Sequence, residues 1–121
     1  MAALRQFEDV KAWQHARELT GCIYATCRAG TLAKDFGLRD QLQRAAVSVM
    51  SNIAEGFGRR GDKQFAHFLD IAHGSAAEVQ SLLYVALDAG HLTEETFRRL
   101  YVLADETAAL VTGSNKYLRR N

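Results

Sequence analysis

A chain of 121 residues is long enough for one domain with a single core, and its 48% hydrophobic and 24% charged content is that of a globular protein with an ordinary surface. A net charge of +1 gives no bulk electrostatic drive toward nucleic acid or a membrane surface. Two cysteines, no proline and no apolar run of bilayer length argue against a disulfide framework, a cysteine-built metal site and a membrane span; with no signal-peptide core at the start, the expected setting is the cytoplasm.

The first helix is expected from Phe7 to about Cys27. Trp13, Ala16, Leu19, Ile23 and Cys27 recur at helical spacing as its buried stripe, with Val10 and Tyr24 beside them. Cys22 and Cys27 read as small apolar packing groups. Gly21 is costly inside a helix, and close backbone approach is one reason to keep it. Gly30 and Gly37 bracket a short connection, with Gly37 in the turn before the second helix.

The second helix, from Leu38 to about Phe57, is the stretch on which the rest of the chain is organised. Leu38, Leu42, Ala45, Val49, Ile53 and Phe57 fall on one face. Arg44, Ser48, Asn52 and Glu55 form a polar row beside that face, among small residues that let another helix come close. Such a row needs hydrogen-bond partners on a neighbouring helix or another subunit, and Ser75 and Glu78 of the third helix are candidates. A buried network of this kind reads as structural rather than catalytic.

Gly56-Phe57-Gly58-Arg59-Arg60-Gly61 spells the dinucleotide-loop pattern, but that motif needs a strand before it and none is predicted. A tight inter-helix turn made by three glycines is the better account. Asp62 is placed to cap the third helix, which runs to about Asp88 with Phe65, Phe68, Leu69, Ala72, Ala76, Val79, Leu83 and Ala86 on its apolar face. Gly74-Ser75 marks a small-residue contact point within it. Thr93 then caps a fourth helix, with Glu94 and Glu95 in its first turn; Phe97, Leu100, Tyr101, Ala104, Ala108, Val111 and Leu118 continue the stripe, and fraying is expected after Gly113.

Four helical segments with short connections and no strands predict an all-α fold, an antiparallel up-down-up-down four-helix bundle, as a single domain over residues 1–121. Gln41 through Ser48 and Asn52 through Gly56 resemble the core signature of the four-helix bundle proteins related to those encoded in intervening sequences of large-subunit ribosomal RNA genes. The accessory variability determinant proteins of diversity-generating retroelements look similar. Phe7 through Gln14, Phe68 through Ser75, and Glu78 extend the match over most of the chain. The family usually carries a proline-containing segment before the second helix, where this chain has Thr31-Leu32-Ala33-Lys34-Asp35-Phe36. The resemblance implies a homopentamer, and its retroelement branch implies RNA and reverse-transcriptase binding, although those relatives tend to be strongly basic.

The bundle topology makes charge placement informative. The start of helix one, the second inter-helix turn and the end of helix four share one end of the bundle. Arg5, Lys11, Arg59, Arg60, Lys63, Lys116, Arg119 and Arg120 gather there against Glu8, Asp9, Glu55 and Asp62, an excess of four positive charges. The opposite end is balanced and the middle is acidic. In a five-fold ring with parallel axes, that end becomes a face carrying on the order of twenty net positive charges, able to attract phosphates in a salt-dependent way. The plainer reading is that turns and helix ends are simply solvated. No motif interleaving aromatic and basic residues accompanies the charges.

Enzymatic chemistry finds little support. A dimetal bundle site needs Glu from two helices and Glu-x-x-His from two others at one level; Asp70–His73 and Asp88–His91 are shortened versions on a single stretch, with Glu18 and Glu55 as the remaining ligands. No nucleophile–histidine arrangement stands out, and His15 and His67 have no companions at ligand spacing. The expectation is a non-enzymatic oligomer without cofactor or metal. It binds RNA or DNA through Arg59, Arg60, Lys63, Lys116, Arg119 and Arg120, or else serves as a scaffold for a protein partner, with Arg44, Ser48, Asn52, Glu55, Ser75 and Glu78 as a structural network or interface.

Overall fold

The computed structural model describes the backbone of residues 4–120 and the side chains of residues 4–115. Four α-helices follow one another: α1 (Lys11–Cys27), α2 (Phe36–Gly58), α3 (Asp62–Asp88) and α4 (Glu94–Arg120). Short 3-10 turns over Phe7–Asp9 and Gly30–Lys34 precede α1 and α2. Among the described residues there is no strand.

Cross-helix contacts fix the direction of each pair. Thr20 donates to the Ala46 carbonyl, and seven residues later on α1 the Cys27 thiol faces the Arg39 carbonyl, seven residues earlier on α2. Asn115 reaches Asp70, and ten residues earlier on α4 Asp105 accepts from Gln80, ten residues later on α3. Ser48 meets Ser75, while Gly56 meets Phe65 and Phe68. Each neighbouring pair is antiparallel, and α4 packs back on α1 to close an up-down-up-down bundle.

The core has two parts. Toward the α2–α3 turn, Val10, Ala12, Ala16, Val49, Ile53, Leu69, Ala72, Ala76 and Val111 pack together. Toward the other end, Leu19, Ile23, Leu38, Leu42, Val79, Leu83 and Leu100 form a larger-residue cluster around Ala45, Ala46 and Ala104. These are the residues that helical spacing selects. The stripes are narrower than expected at their aromatic margins: Trp13, Phe57, Phe65 and Phe68 are only half-buried and Tyr24 is exposed, because small residues (Ala12, Gly56 and Ala66) occupy the positions nearest the axis.

Several local expectations are corrected. α1 begins at Lys11 rather than Phe7: Asp9 accepts from the backbone N–H groups of Arg5 and Gln6, and Phe7 turns back to make an edge contact with Trp13 at 5.1 Å between ring centres. Gly37 lies inside the first turn of α2, whose cap is Asp35, accepting from Leu38 N–H at 3.3 Å. Gly61, not Asp62, caps α3. Thr93 caps α4 as expected, accepting from Thr96 N–H at 3.1 Å. α4 continues past Gly113 to Arg120 rather than fraying there. Neither Gly21 nor Gly74 marks a close approach, since a Cβ at either meets nothing within 4 Å.

Gly56 is the tight point. A Cβ there would lie 2.6 Å from Phe68 Cβ and 3.1 Å from Phe65 Cδ1. The three-glycine run is therefore not a three-glycine turn. Gly56 and Gly58 complete α2, and Gly61 alone supplies the positive φ, +89°, that the reversal into α3 requires.

Candidate nucleic-acid interface

The α2–α3 reversal presents Arg59, Arg60 and Lys63 as exposed side chains beside the small-residue end of the core. Arg5 and Lys11, at the start of the chain, are exposed near the same end. The side chains of Lys116, Arg119 and Arg120, and that of Leu118, lie outside the described residues.

Arg59 is held differently from its neighbours. Its Nη2 donates to Glu55 Oε1 at 2.8 Å, one helical turn back, and its guanidinium carbon lies 5.2 Å from the centre of the Phe68 ring. The ion pair is exposed on both sides, so it is worth about 0.3–0.5 kcal/mol, and the contact with the ring about 0.5–1 kcal/mol. Together they confine a long side chain without burying it. Phe68 in turn packs where Gly56 leaves room, with Phe65 meeting Phe57 edge-on at 5.9 Å. Sequence spacing gave no sign of this contact, because Arg59 lies just past the end of α2 and Phe68 lies on α3.

The predicted polar row is brought together only in part. Ser48 and Ser75 share a hydroxyl hydrogen bond of 2.8 Å between α2 and α3, and Asn52 Nδ2 donates to the Ser48 carbonyl at 2.8 Å and to its hydroxyl at 3.0 Å. Glu55 turns instead to Arg59. Arg44 and Glu78 are exposed and make no hydrogen bond to the Ser48–Asn52–Ser75 group. Arg44 lines an open groove with Tyr24, Asp40, Gln43, Val47 and Ser48. Other buried polar groups lacked any sequence signal: Thr107 back-bonds to Leu103 at 2.8 Å, and Asn115 donates to Asp70 and to the Ala66 carbonyl.

The opposite end carries a cross-loop tie that periodicity did not reveal. His91, after α3, uses both ring nitrogens: Nε2 faces Asp35 Oδ2 at 2.9 Å and Nδ1 faces the Thr31 hydroxyl at 2.7 Å. Asp35 thus serves as α2 cap and histidine partner at once. The hydrogen bond from His91, aided by the one from Leu38 N–H, holds its carboxyl below the ordinary value of 3.8. A carboxylate with a lowered folded-state value contributes stability that is complete above the unfolded value and disappears as pH falls through the folded one. The stability difference between wild type and Asp35→Asn, followed by urea unfolding across pH, is therefore expected to shrink as pH falls below 3.8. A difference that persists undiminished at lower pH would show that the bonds from His91 and Leu38 do not favour the charged carboxylate in the folded chain.

Cys27 is buried, and desolvation pushes its thiol up to about 11, so it is an uncharged packing group at neutral pH. Among the described residues no cluster of three or more His, Cys, Asp or Glu could hold a metal ion. His73 is exposed, Asp70 is engaged by Asn115, and His91 is committed to Asp35 and Thr31, so the two shortened dimetal motifs do not converge. No helix among the described residues is long and apolar enough to cross a membrane.

A closed antiparallel bundle of four helices, with a basic turn and a small-residue contact between α2 and α3, defines an all-α helical-bundle protein. The chain belongs to the 23S rRNA-intervening sequence protein family, whose sequence model matches residues 8–113. Its fold is similar to that of a crystal structure from Bacteroides thetaiotaomicron, described as a protein of unknown function from the S23 ribosomal protein family. The two share 21% sequence identity, with a TM-score of 0.77 over 84% of this chain and 95% of that one. No curated protein matches the chain.

Proposed function

We propose that this protein is a non-enzymatic, oligomeric accessory protein of the cytoplasm that binds RNA through the basic end of its bundle. The observation that carries the reading is the α2–α3 reversal, which sets Arg59, Arg60 and Lys63 side by side in solvent, with Arg5 and Lys11 near the same end. Membership of a family named for intervening sequences of 23S rRNA supports RNA as the ligand. The charge on one subunit is modest, so affinity depends on several copies presenting that end together, as a homopentameric ring would.

A second reading, a scaffold for a protein partner without a nucleic-acid role, draws on the apolar side chains left in solvent. Tyr24 and Val47 line the groove beside Arg44, and Ile71 and Val85 are exposed on α3.

Light scattering combined with titration of labelled RNA and DNA at low and moderate salt separates the readings. The expected result is an assembly of about five subunits whose RNA affinity falls steeply with salt. Replacing Arg59, Arg60 and Lys63 together by Ala is expected to weaken binding for all sequences and to flatten the salt slope by about 0.7–0.9 for each lost phosphate contact. An assembly that binds neither nucleic acid favours the scaffold, and a monomer overturns the oligomeric reading.

A further inference from the structure

Resting on the RNA-binding reading, the geometry points to Arg59 as the residue that grips a phosphodiester group at the basic end, with Phe68 and Glu55 as its positioning residues. Three basic side chains share the α2–α3 turn, but only one is pre-set. Arg60 and Lys63 project from the turn and the first turn of α3 with no ion pair or ring contact among the described residues. Arg59 is fixed on two sides, by the 2.8 Å bond from Nη2 to Glu55 and by the Phe68 ring 5.2 Å from its guanidinium carbon.

Guanidinium chemistry makes that difference functional. Arginine has five N–H donors in a planar fork that matches two oxygens of one phosphate, whereas an ammonium is a point charge. Glu55 engages one donor group at one edge, leaving the rest of the fork available. Contacts on two sides, with a carboxylate and with a ring, narrow the rotamer freedom that a phosphate contact otherwise has to freeze. Half of the Arg59 side-chain surface, 52%, remains open to solvent, so the held fork is accessible.

The support runs into the fold. Phe68 lies where it does because Gly56 has no Cβ; a methyl group there would sit 2.6 Å from Phe68 Cβ. The α2–α3 contact therefore sets the ring, and the ring sets the arginine. His67, next to Phe68 in sequence, is exposed and meets its ring edge-on at 5.4 Å between centres. Arg60 and Lys63 supply attraction that any cation could supply; Arg59 supplies geometry.

Charge-conserving variants test this. Anisotropy titration of a labelled RNA hairpin compares wild type, Arg59→Lys, Arg60→Lys and Phe68→Leu at two salt concentrations, with thermal melts as the control for folding. Arg59→Lys is expected to weaken binding about tenfold while leaving the salt slope nearly unchanged, because the charge stays and the fork is lost. Arg60→Lys is expected to bind like wild type, and Phe68→Leu to lose affinity in the same direction as Arg59→Lys without touching any charge. Equal affinities for wild type and Arg59→Lys, or equal losses for the two lysine variants, overturn the assignment while leaving the basic end as an RNA site. Absence of RNA binding by wild type at low salt overturns that underlying reading, and the role of Arg59 with it. If Phe68→Leu fails to fold, the two lysine variants decide alone, both positions being exposed.

Discussion

Leu83→Ala is expected to destabilise the bundle by about 2–5 kcal/mol, measured by urea unfolding at fixed protein concentration. Leu83 is fully buried at 1% exposure and belongs to the cluster formed by Ile23, Leu42, Leu100 and the alanines at 45, 46 and 104. All four helices contribute to that cluster, so no single element can move inward to fill the space a truncated side chain leaves. The cost then includes the lost transfer of the removed carbons and the residual cavity. Against a total stability of about 5–15 kcal/mol for a domain, this is a large fraction. A loss below about 1 kcal/mol would mean that the helices close over the gap, and that this half of the core is softer than its close packing implies.

Two glycines on facing helices are expected to respond with opposite signs. Gly56→Val introduces atoms where a first Cβ already comes within 2.6 Å of Phe68 Cβ, an atom fixed to the α3 backbone that cannot swing away. The helices must separate locally, at a cost of about 1–3 kcal/mol from overpacking. Gly74→Ala, in the middle of α3, adds a methyl group to open space and removes a poor helix former, and is expected to stabilise by about 0.5–1 kcal/mol. Thermal melts of the two variants beside wild type check both signs. Stability unchanged at Gly56 would show that the α2–α3 distance is adjustable. A loss at Gly74 would place that face of α3 against another subunit. Gly56→Val is also expected to weaken RNA binding beyond its effect on folding, because Phe68 is displaced from beneath Arg59.

The apolar stripes were legible because helical periodicity is a local property: Leu38, Leu42, Ala45, Val49 and Ile53 are one face of α2 in the sequence and one wall of the core in space. The aromatic margins were less so. Hydrophobicity ranks Phe57, Phe65 and Phe68 as core, but in a bundle whose axes approach at Gly56 there is room beside the axis only for small side chains. The candidate site was legible as charge and illegible as geometry. Arg59, Arg60 and Lys63 are equal in the sequence, and what separates them is a ring nine residues from Arg59 on the next helix. Glu55 joined the polar row by spacing, yet an arginine one turn later offers a charged partner that Ser75 does not. The tie from His91 to Asp35 and Thr31 spans 56 and 60 residues along the chain, and no local pattern encodes a meeting of two loops.

The cyclic order of helix contacts bears on how the chain finds its structure. Three of the four interfaces join helices that follow each other directly, so α1 with α2, α2 with α3 and α3 with α4 can each zip from a short turn with little loop-closure entropy. Only the seam between α1 and α4, where Leu19 and Ile23 share one core cluster with Leu100 and Ala104 and Ala12 and Ala16 share the other with Val111, brings together residues from opposite ends of the chain's order. The tie from His91 to Thr31 and Asp35 belongs to the same long-range class, joining segments 60 and 56 residues apart. Loop-closure entropy therefore opposes the three hairpin interfaces least, and the α1–α4 seam carries the largest closure cost of the four.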